Sequence, residues 1–172
     1  MENELPKRKP TRLKNFDYSS IGAYFVTVCT KDRKPILSDV IREISVTEDK
    51  KDTVFKTKLT NCGKIVEYEL LALESRYSNI TIDGYVIMPD HIHFVVMIHR
   101  TQVGEISPTL SDAVCVFKSL ATRKCKEIGI DNLFQRSFAE HIVRNSDDYE
   151  TRIKYIYENP MRWYYKRMVD AT

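Results

Sequence analysis

The chain has no apolar run approaching the roughly 20 residues that a helix needs to cross a bilayer, and its first ten residues are charged rather than apolar. Neither a membrane span nor a secretory leader is expected. The four cysteines, at 29, 62, 115 and 125, contain no Cys-x-x-Cys spacing, and Cys115 and Cys125 would lie about 15 Å apart along one helix. They read as reduced thiols of a soluble intracellular protein rather than as a disulfide framework. Charge of one sign is also in short supply. With 27 Lys and Arg against 24 Asp and Glu the net charge is +3, too small an excess to declare nucleic-acid binding by itself. At 172 residues the chain is long enough for one domain with a substantial core and short for two.

What the sequence does contain is organised around Tyr85-Val-Ile-Met-Pro-Asp-His-Ile-His-Phe-Val-Val-Met-Ile98. Two runs rich in β-branched and aromatic residues are hinged at Pro89-Asp90, the pattern of two strands joined by a tight turn. Side chains alternate along a strand. His91 and His93 therefore point one way, and Ile92, Phe94, Val96 and Ile98 the other. Two neutral imidazoles converging on one point can hold a cation and leave other coordination positions open. The plainer alternative is a pair of polar residues at a strand mouth.

Residues 1–16 carry Lys7, Arg8, Lys9, Arg12 and Lys14 against Glu2 and Glu4, with no periodic apolar pattern. This basic arm is either a solvated tail or a segment ordered by a phosphate backbone. Tyr24–Cys29 reads as the first strand and the lysine-rich Lys31–Pro35 ends it. Weak alternation over 41–58, around a charged centre, suggests an excursion shaped as a hairpin. Asn61 is the expected N-cap of a helix through about Tyr77. A second helix follows from Leu110 to near Gly129, with Lys118, Arg123, Lys124 and Lys126 on its exposed side. Phe138–Arg144 reads as a strand. A last helix is expected from an N-cap at Ser146 to Asn159-Pro160, where proline removes a ladder hydrogen bond. Without the excursion, the order is strand, helix, strand, strand, helix, strand, helix. That is an α+β, ferredoxin-like split βαβ antiparallel sheet with an additional C-terminal helix. Two crossover helices would cover one face, leaving the last helix free to approach the other face or its edge.

On that last helix Tyr149, Ile153, Ile156 and Tyr157 fall on an apolar stripe expected to pack. Asp148, Arg152, Tyr155 and Asn159 fall on a polar one. Tyr155 is a candidate nucleophile, and the Asn159 amide oxygen a candidate hard ligand beside the two imidazoles. Just beyond, Arg162-Trp-Tyr-Tyr-Lys-Arg167 interleaves cations and aromatics, either as a platform for unpaired bases or as apolar docking of the C-terminus.

Four separated motifs, Tyr18–Cys29, Met88–Phe94, Gln135–Arg144 and Tyr155–Pro160, resemble in order and spacing those of the REP-associated tyrosine transposases, within the single-tyrosine HUH transposases of bacteria. The resemblance runs from Arg12 to Trp163. It implies that residues 17–172 are one HUH transposase-like catalytic domain, with 1–16 an N-terminal arm and 41–58 variable. His91, His93 and Asn159 would bind a divalent metal, Mg²⁺ or Mn²⁺, and Tyr155 would attack DNA to leave a 5′-phosphotyrosine. The implied partner is single-stranded DNA with hairpin-forming repeats, in the bacterial cytoplasm near the nucleoid. Candidate DNA contacts are the arm cations with Arg152, His141, Arg162 and Trp163. His141 would touch DNA or hold the active-site helix, and a satisfied structural histidine stands equally open. His99 reads as a strand-end surface residue. Ala139 departs from the family pattern, where an aromatic residue precedes the acidic-His pair. Two rival readings stay open: a ferredoxin-like module that binds nucleic-acid hairpins without cutting, and a related replication nickase.

Overall fold

The computed structural model describes residues 21–47, 50–101 and 108–170. The arm with Lys7, Arg8, Lys9, Arg12 and Lys14 lies outside them. The elements are β1 (Gly22–Cys29), β2 (Ser38–Thr47), β3 (Lys50–Leu59), α1 (Asn61–Arg76), β4 (Ile80–Ile87), β5 (His91–Ile98), α2 (Leu110–Glu127), β6 (Ala139–Val143) and α3 (Ser146–Asp170). Strands β4, β5, β1 and β6 form one antiparallel sheet in that order. β2 and β3 pair only with each other, as a hairpin over the segment whose alternation is weak. Apart from that hairpin and α3, the chain is a ferredoxin-like βαββαβ unit. No helix of the described residues is long and apolar enough to cross a membrane.

Both faces of the sheet are covered, and alternation decides which residue faces which cover. Ile92, Phe94, Val96 and Ile98 of β5 join Tyr24, Val26 and Val28 of β1 beneath α1 and α2. On the opposite face Phe25, Val86, Met88 and Val95 pack against Ile156 of α3. The central strand β5 is consequently buried along nearly its whole length. Such a strand must fill both faces with apolar side chains unless function requires otherwise. His91 and His93 are the exception, on the α3 face.

Three helix boundaries differ from the sequence expectation. Thr60, not Asn61, caps α1: its hydroxyl accepts from the Gly63 N–H at 3.1 Å. Asn145, not Ser146, caps α3, its side-chain oxygen accepting from the Asp148 N–H at 2.9 Å. Side chains of one polar class at adjacent positions compete for each cap, and backbone geometry chooses between them. The larger difference is that α3 runs straight through Pro160. A mid-helix proline costs about 3 kcal/mol. Packing beyond it offsets that cost: Trp163 joins the α3-side core, and the Phe55 ring of the hairpin meets Tyr164 and Tyr165 at 5.1 and 5.5 Å. On α2, Lys118 and Lys124 are not free surface charges. Lys118 donates to the Gln135 and Arg136 carbonyls at 2.8 and 2.9 Å, and Lys124 pairs with the buried Glu69 at 2.5 Å. All four cysteines are free, and the Cys62 and Cys125 sulfurs of α1 and α2 lie 3.3 Å apart.

One glycine is required by contact. A Cβ on Gly63 would lie 2.0 Å from the Leu37 carbonyl oxygen. That carbonyl cannot retreat, because it accepts from the Thr60 N–H at 3.0 Å while the Leu37 N–H donates to Pro89 at 3.0 Å. Gly63→Ala should therefore lower stability by about 3 kcal/mol. Urea unfolding followed by circular dichroism measures this, and an unchanged midpoint would contradict the contact.

Candidate active site

The turn Met88-Pro89-Asp90 places both histidines. It closes through the Met88 N–H donating to the His91 carbonyl at 2.8 Å, and the Asp90 carbonyl accepts from the N–H of the fully buried Thr30 at 2.9 Å. On β1, Cys29 lies opposite His91 and Thr27 opposite His93. The His91 Nδ1–H donates to the Asp90 carboxylate at 2.5 Å. A carboxylate can only accept, so this bond sets the tautomer and leaves Nε2 with its lone pair. Asn159 lines the same cleft as His91. His93 Nδ1 lies 2.8 Å from the Thr27 hydroxyl, and the two imidazole centroids are 4.6 Å apart.

Burial disfavours a charged imidazole, and it is the largest influence on both rings. It lowers the His91 pKa, although the Asp90 carboxylate opposes it. It pushes His93 down to about 3, helped by His91 and by the Arg33 charge. Both rings are thus neutral near pH 7 and able to donate a lone pair. The depressed value also carries a stability consequence. Between the unfolded pKa of about 6.5 and the folded value, the unfolded chain binds a proton at His93 that the native chain does not. The stability contributed by neutral His93 is therefore present above the unfolded value and is lost as pH falls towards about 3. In metal-free buffer, His93→Gln should flatten the fall of the denaturation midpoint across that window. An equally steep fall in the variant would show that His93 is not the group responsible.

α3 brings its polar stripe across the same face. At its start Asp148 accepts from Arg152 at 3.0 Å and pairs with His141 of β6 at 2.8 Å, which fastens the helix to the edge strand. The bond to His141 is the largest influence holding the Asp148 carboxyl down at about 2. The Arg152 guanidinium lies over the Phe25 ring at 5.6 Å. Phe25 in turn stacks on His93 at 5.2 Å and meets Tyr155 edge-on at 6.0 Å. Tyr155 approaches the His93 ring at 5.2 Å and is 37% exposed, whereas Asn159, one turn later, is only 6% exposed. A phenol open to solvent and a buried amide therefore flank the imidazole pair. Tyr149 is engaged elsewhere: its hydroxyl donates to Asp83, and that bond, with burial, raises its pKa to about 12. Tyr157, expected on the packed stripe, is instead 74% exposed. It follows Ile156 by one residue, about 100° round the helix, past the edge of the buried surface.

These groups line a cleft of about 390 Å³ whose walls include Thr27, Arg33, His91, His93, Tyr155 and Asn159. Arg162, Trp163 and Lys166 complete its rim. The Arg162 guanidinium lies over the Tyr155 ring at 5.7 Å and pairs with Glu158 at 2.8 Å. Trp163 leans towards His91 at 5.9 Å, while Tyr164 and Tyr165 dock on the hairpin, so the aromatic run divides between cleft and hairpin. His99 stands at the strand end, 2.8 Å from the Thr81 hydroxyl and away from the cleft.

Thr27, Asp90 and Arg33 are cleft residues that sequence reasoning passed over. Asp90 had a signal, as the acid directly before His91. Thr27 and Arg33 had none, because strand register and turn geometry bring them there. Asp32 and Arg33 both adopt φ of 54°, the left-handed region. For non-glycine residues this costs about 1–2 kcal/mol each.

Among the described residues no group of three or more His, Cys, Asp and Glu side chains could hold a metal ion. The donors at hand are two neutral imidazoles with the Asn159 amide. That set fits an open divalent site completed by oxygen ligands, rather than a closed four-ligand zinc site.

Fold and site together define an α+β protein of ferredoxin-like topology whose added C-terminal helix lays a tyrosine against a histidine pair. No protein-family model matches the chain. It is 25% identical over 165 residues to a Haemophilus influenzae protein provisionally named a REP-associated tyrosine transposase, covering 89% of this chain and 78% of that one. It is 31% identical over 81 residues to the REP-associated tyrosine transposase of Escherichia coli, covering 47% of this chain and 44% of that one. A solved REP-associated tyrosine transposase bound to a REP hairpin shares the fold, with a TM-score of 0.60 at 22% identity over 88% of this chain and 74% of that one. The chain is a homologue of proteins named REP-associated tyrosine transposases, with the antiparallel sheet and C-terminal helix of their fold.

Proposed function

We propose that this protein is a transposase acting on REP-type DNA, and more specifically a metal-dependent single-stranded DNA endonuclease and strand transferase. It would work at hairpin-forming repeats through a 5′-phosphotyrosine, with residues 17–172 as the catalytic domain. The observation that carries this reading is Tyr155 set against His93 in one cleft with His91 and Asn159. The hydroxyl oxygen of Tyr155 forms a bond to phosphorus while the bond from phosphorus to the 3′ oxygen breaks. The DNA is left with a free 3′-hydroxyl and the protein with a covalent 5′ end. His91, His93 and Asn159 would hold Mg²⁺ or Mn²⁺, which supplies neutralisation of charge on the phosphate. Asp90 keeps His91 in the tautomer that offers Nε2. Phe25 and Arg152 hold the Tyr155 turn of α3 over the sheet, and His141 anchors that helix through Asp148.

The test is to incubate the protein with a single-stranded oligonucleotide carrying the repeats that flank its own gene, with Mg²⁺ or Mn²⁺. A band retarded on a denaturing gel, absent with EDTA, is expected. Tight binding with no such band and no cut strand would favour the reading as a hairpin-binding module.

A further inference from the structure

Arg33 belongs to no motif considered so far, yet the chain spends unfavourable backbone conformation on placing it. Asp32 and Arg33 are consecutive left-handed residues in the short 3-10 turn Lys31–Arg33. The surroundings hold this turn rigidly. The Lys31 N–H donates to the Leu133 carbonyl at 2.9 Å, the Arg33 N–H to Thr30 at 3.2 Å, and the Lys34 N–H to Lys31 at 3.3 Å. The buried Thr30 hydroxyl lies 2.9 Å from both the Lys34 and the Asp90 carbonyls. Strained backbone that persists because neighbours over-determine it clusters at functional sites. Here its effect is to carry the Arg33 side chain to the mouth of the cleft.

Once there, the guanidinium is only loosely occupied. Its Nη1 is 3.6 Å from Asp90, beyond hydrogen-bonding distance, and the side chain is 54% exposed. The other oxygen of Asp90 accepts from His91. Of the cations on the opposing helix, Arg152 is held by Asp148 and Arg162 by Glu158, while Lys166 on the cleft rim brings a single ammonium rather than a planar fork. Arg33 thus offers a planar fork of donors from the sheet side of the cleft, and its charge is felt at both imidazoles. Such a fork matches two oxygens of one phosphate. Resting on the function proposed above, we infer that Arg33 is a catalytic residue that grips the non-bridging oxygens of the scissile phosphate. It stabilises the charge they gain as the Tyr155 oxygen bonds to phosphorus and the 3′ oxygen departs with its electron pair.

The competing account is that Arg33 only braces Asp90, and through it His91. Single-turnover cleavage of the flanking-repeat oligonucleotide separates the two. Arg33→Ala should slow formation of the covalent adduct by about 100-fold, the effect of removing one donor to a developing oxyanion. Hairpin affinity and Mn²⁺ affinity should stay near wild type, and Arg33→Lys should recover part of the rate. With a neutral methylphosphonate at the scissile position, wild type and Arg33→Ala should react at similar rates, because the charged contact is already gone. A rate loss repaired by excess Mn²⁺, or one of equal size on both substrates, would overturn the phosphate contact in favour of bracing. An unchanged rate in a folded Arg33→Ala protein, or in Arg33→Lys should the alanine variant not fold, would overturn it outright. If wild-type protein forms no adduct, the proposed function falls and this inference with it. Adduct formed equally by wild type and Arg33→Ala removes this inference alone.

Discussion

Tyr155→Phe is expected to abolish the covalent protein–DNA adduct, a loss of at least ~10³-fold, while fold and hairpin affinity survive. The change deletes one oxygen. The ring contacts to His93 and Phe25 are made by carbon faces and edges that phenylalanine keeps. Two neighbouring tyrosines serve as controls with different reasons for being innocent. Tyr149 donates to Asp83 and its pKa is raised to about 12, so Tyr149→Phe should keep the adduct and lose about 1 kcal/mol of stability. Tyr157 is 74% exposed and is not among the cleft's lining residues, so Tyr157→Phe should leave adduct and stability alike unchanged. Mass spectrometry of the adduct identifies the modified tyrosine directly. An adduct persisting in Tyr155→Phe would move the nucleophile to another residue, with Tyr157 the next to replace.

His91→Ala and His93→Ala should each reduce cleavage by about 100-fold or more, with hairpin binding largely retained, because each removes one of two imidazoles from a small donor set. The two variants should nevertheless differ in stability. His91 is held by Asp90, and its removal leaves a buried carboxylate without its hydrogen-bond donor. His93 is packed between Phe25 and Tyr155, and its removal opens a void beneath the tyrosine. His93→Ala should therefore also loosen the Tyr155 turn, and excess Mn²⁺ should restore less activity to it than to His91→Ala. Full cleavage by either variant at physiological Mg²⁺ would contradict the site.

Much of this arrangement was legible in the sequence because it depends on local periodicity. A two-residue repeat sends His91 and His93 to one face of a strand whatever the rest of the chain does. A four-residue separation puts Tyr155 and Asn159 on one side of a helix in the same way. The element order restricts the sheet to very few topologies, and the observed β4-β5-β1-β6 order follows from it.

What local pattern could not decide was every outcome in which distant segments compete or cooperate. Pro160 is a helix breaker by propensity, yet α3 continues to Asp170 because Trp163, Tyr164 and Tyr165 find partners in the core and hairpin. Tyr157 carries an apolar ring at a plausible spacing, but whether it is covered depends on how far the sheet extends beneath the helix. Thr27 meets His93 through strand register across 66 residues of chain. Arg33 reaches Asp90 only because a turn is held left-handed by bonds from Thr30, Leu133 and Lys34. The sequence by itself determined which faces the imidazoles and the tyrosine occupy, since φ/ψ periodicity is a property of the local backbone. The tertiary structure alone decided which charges and hydroxyls surround them, since those contacts are selected by packing between segments that the sequence keeps far apart.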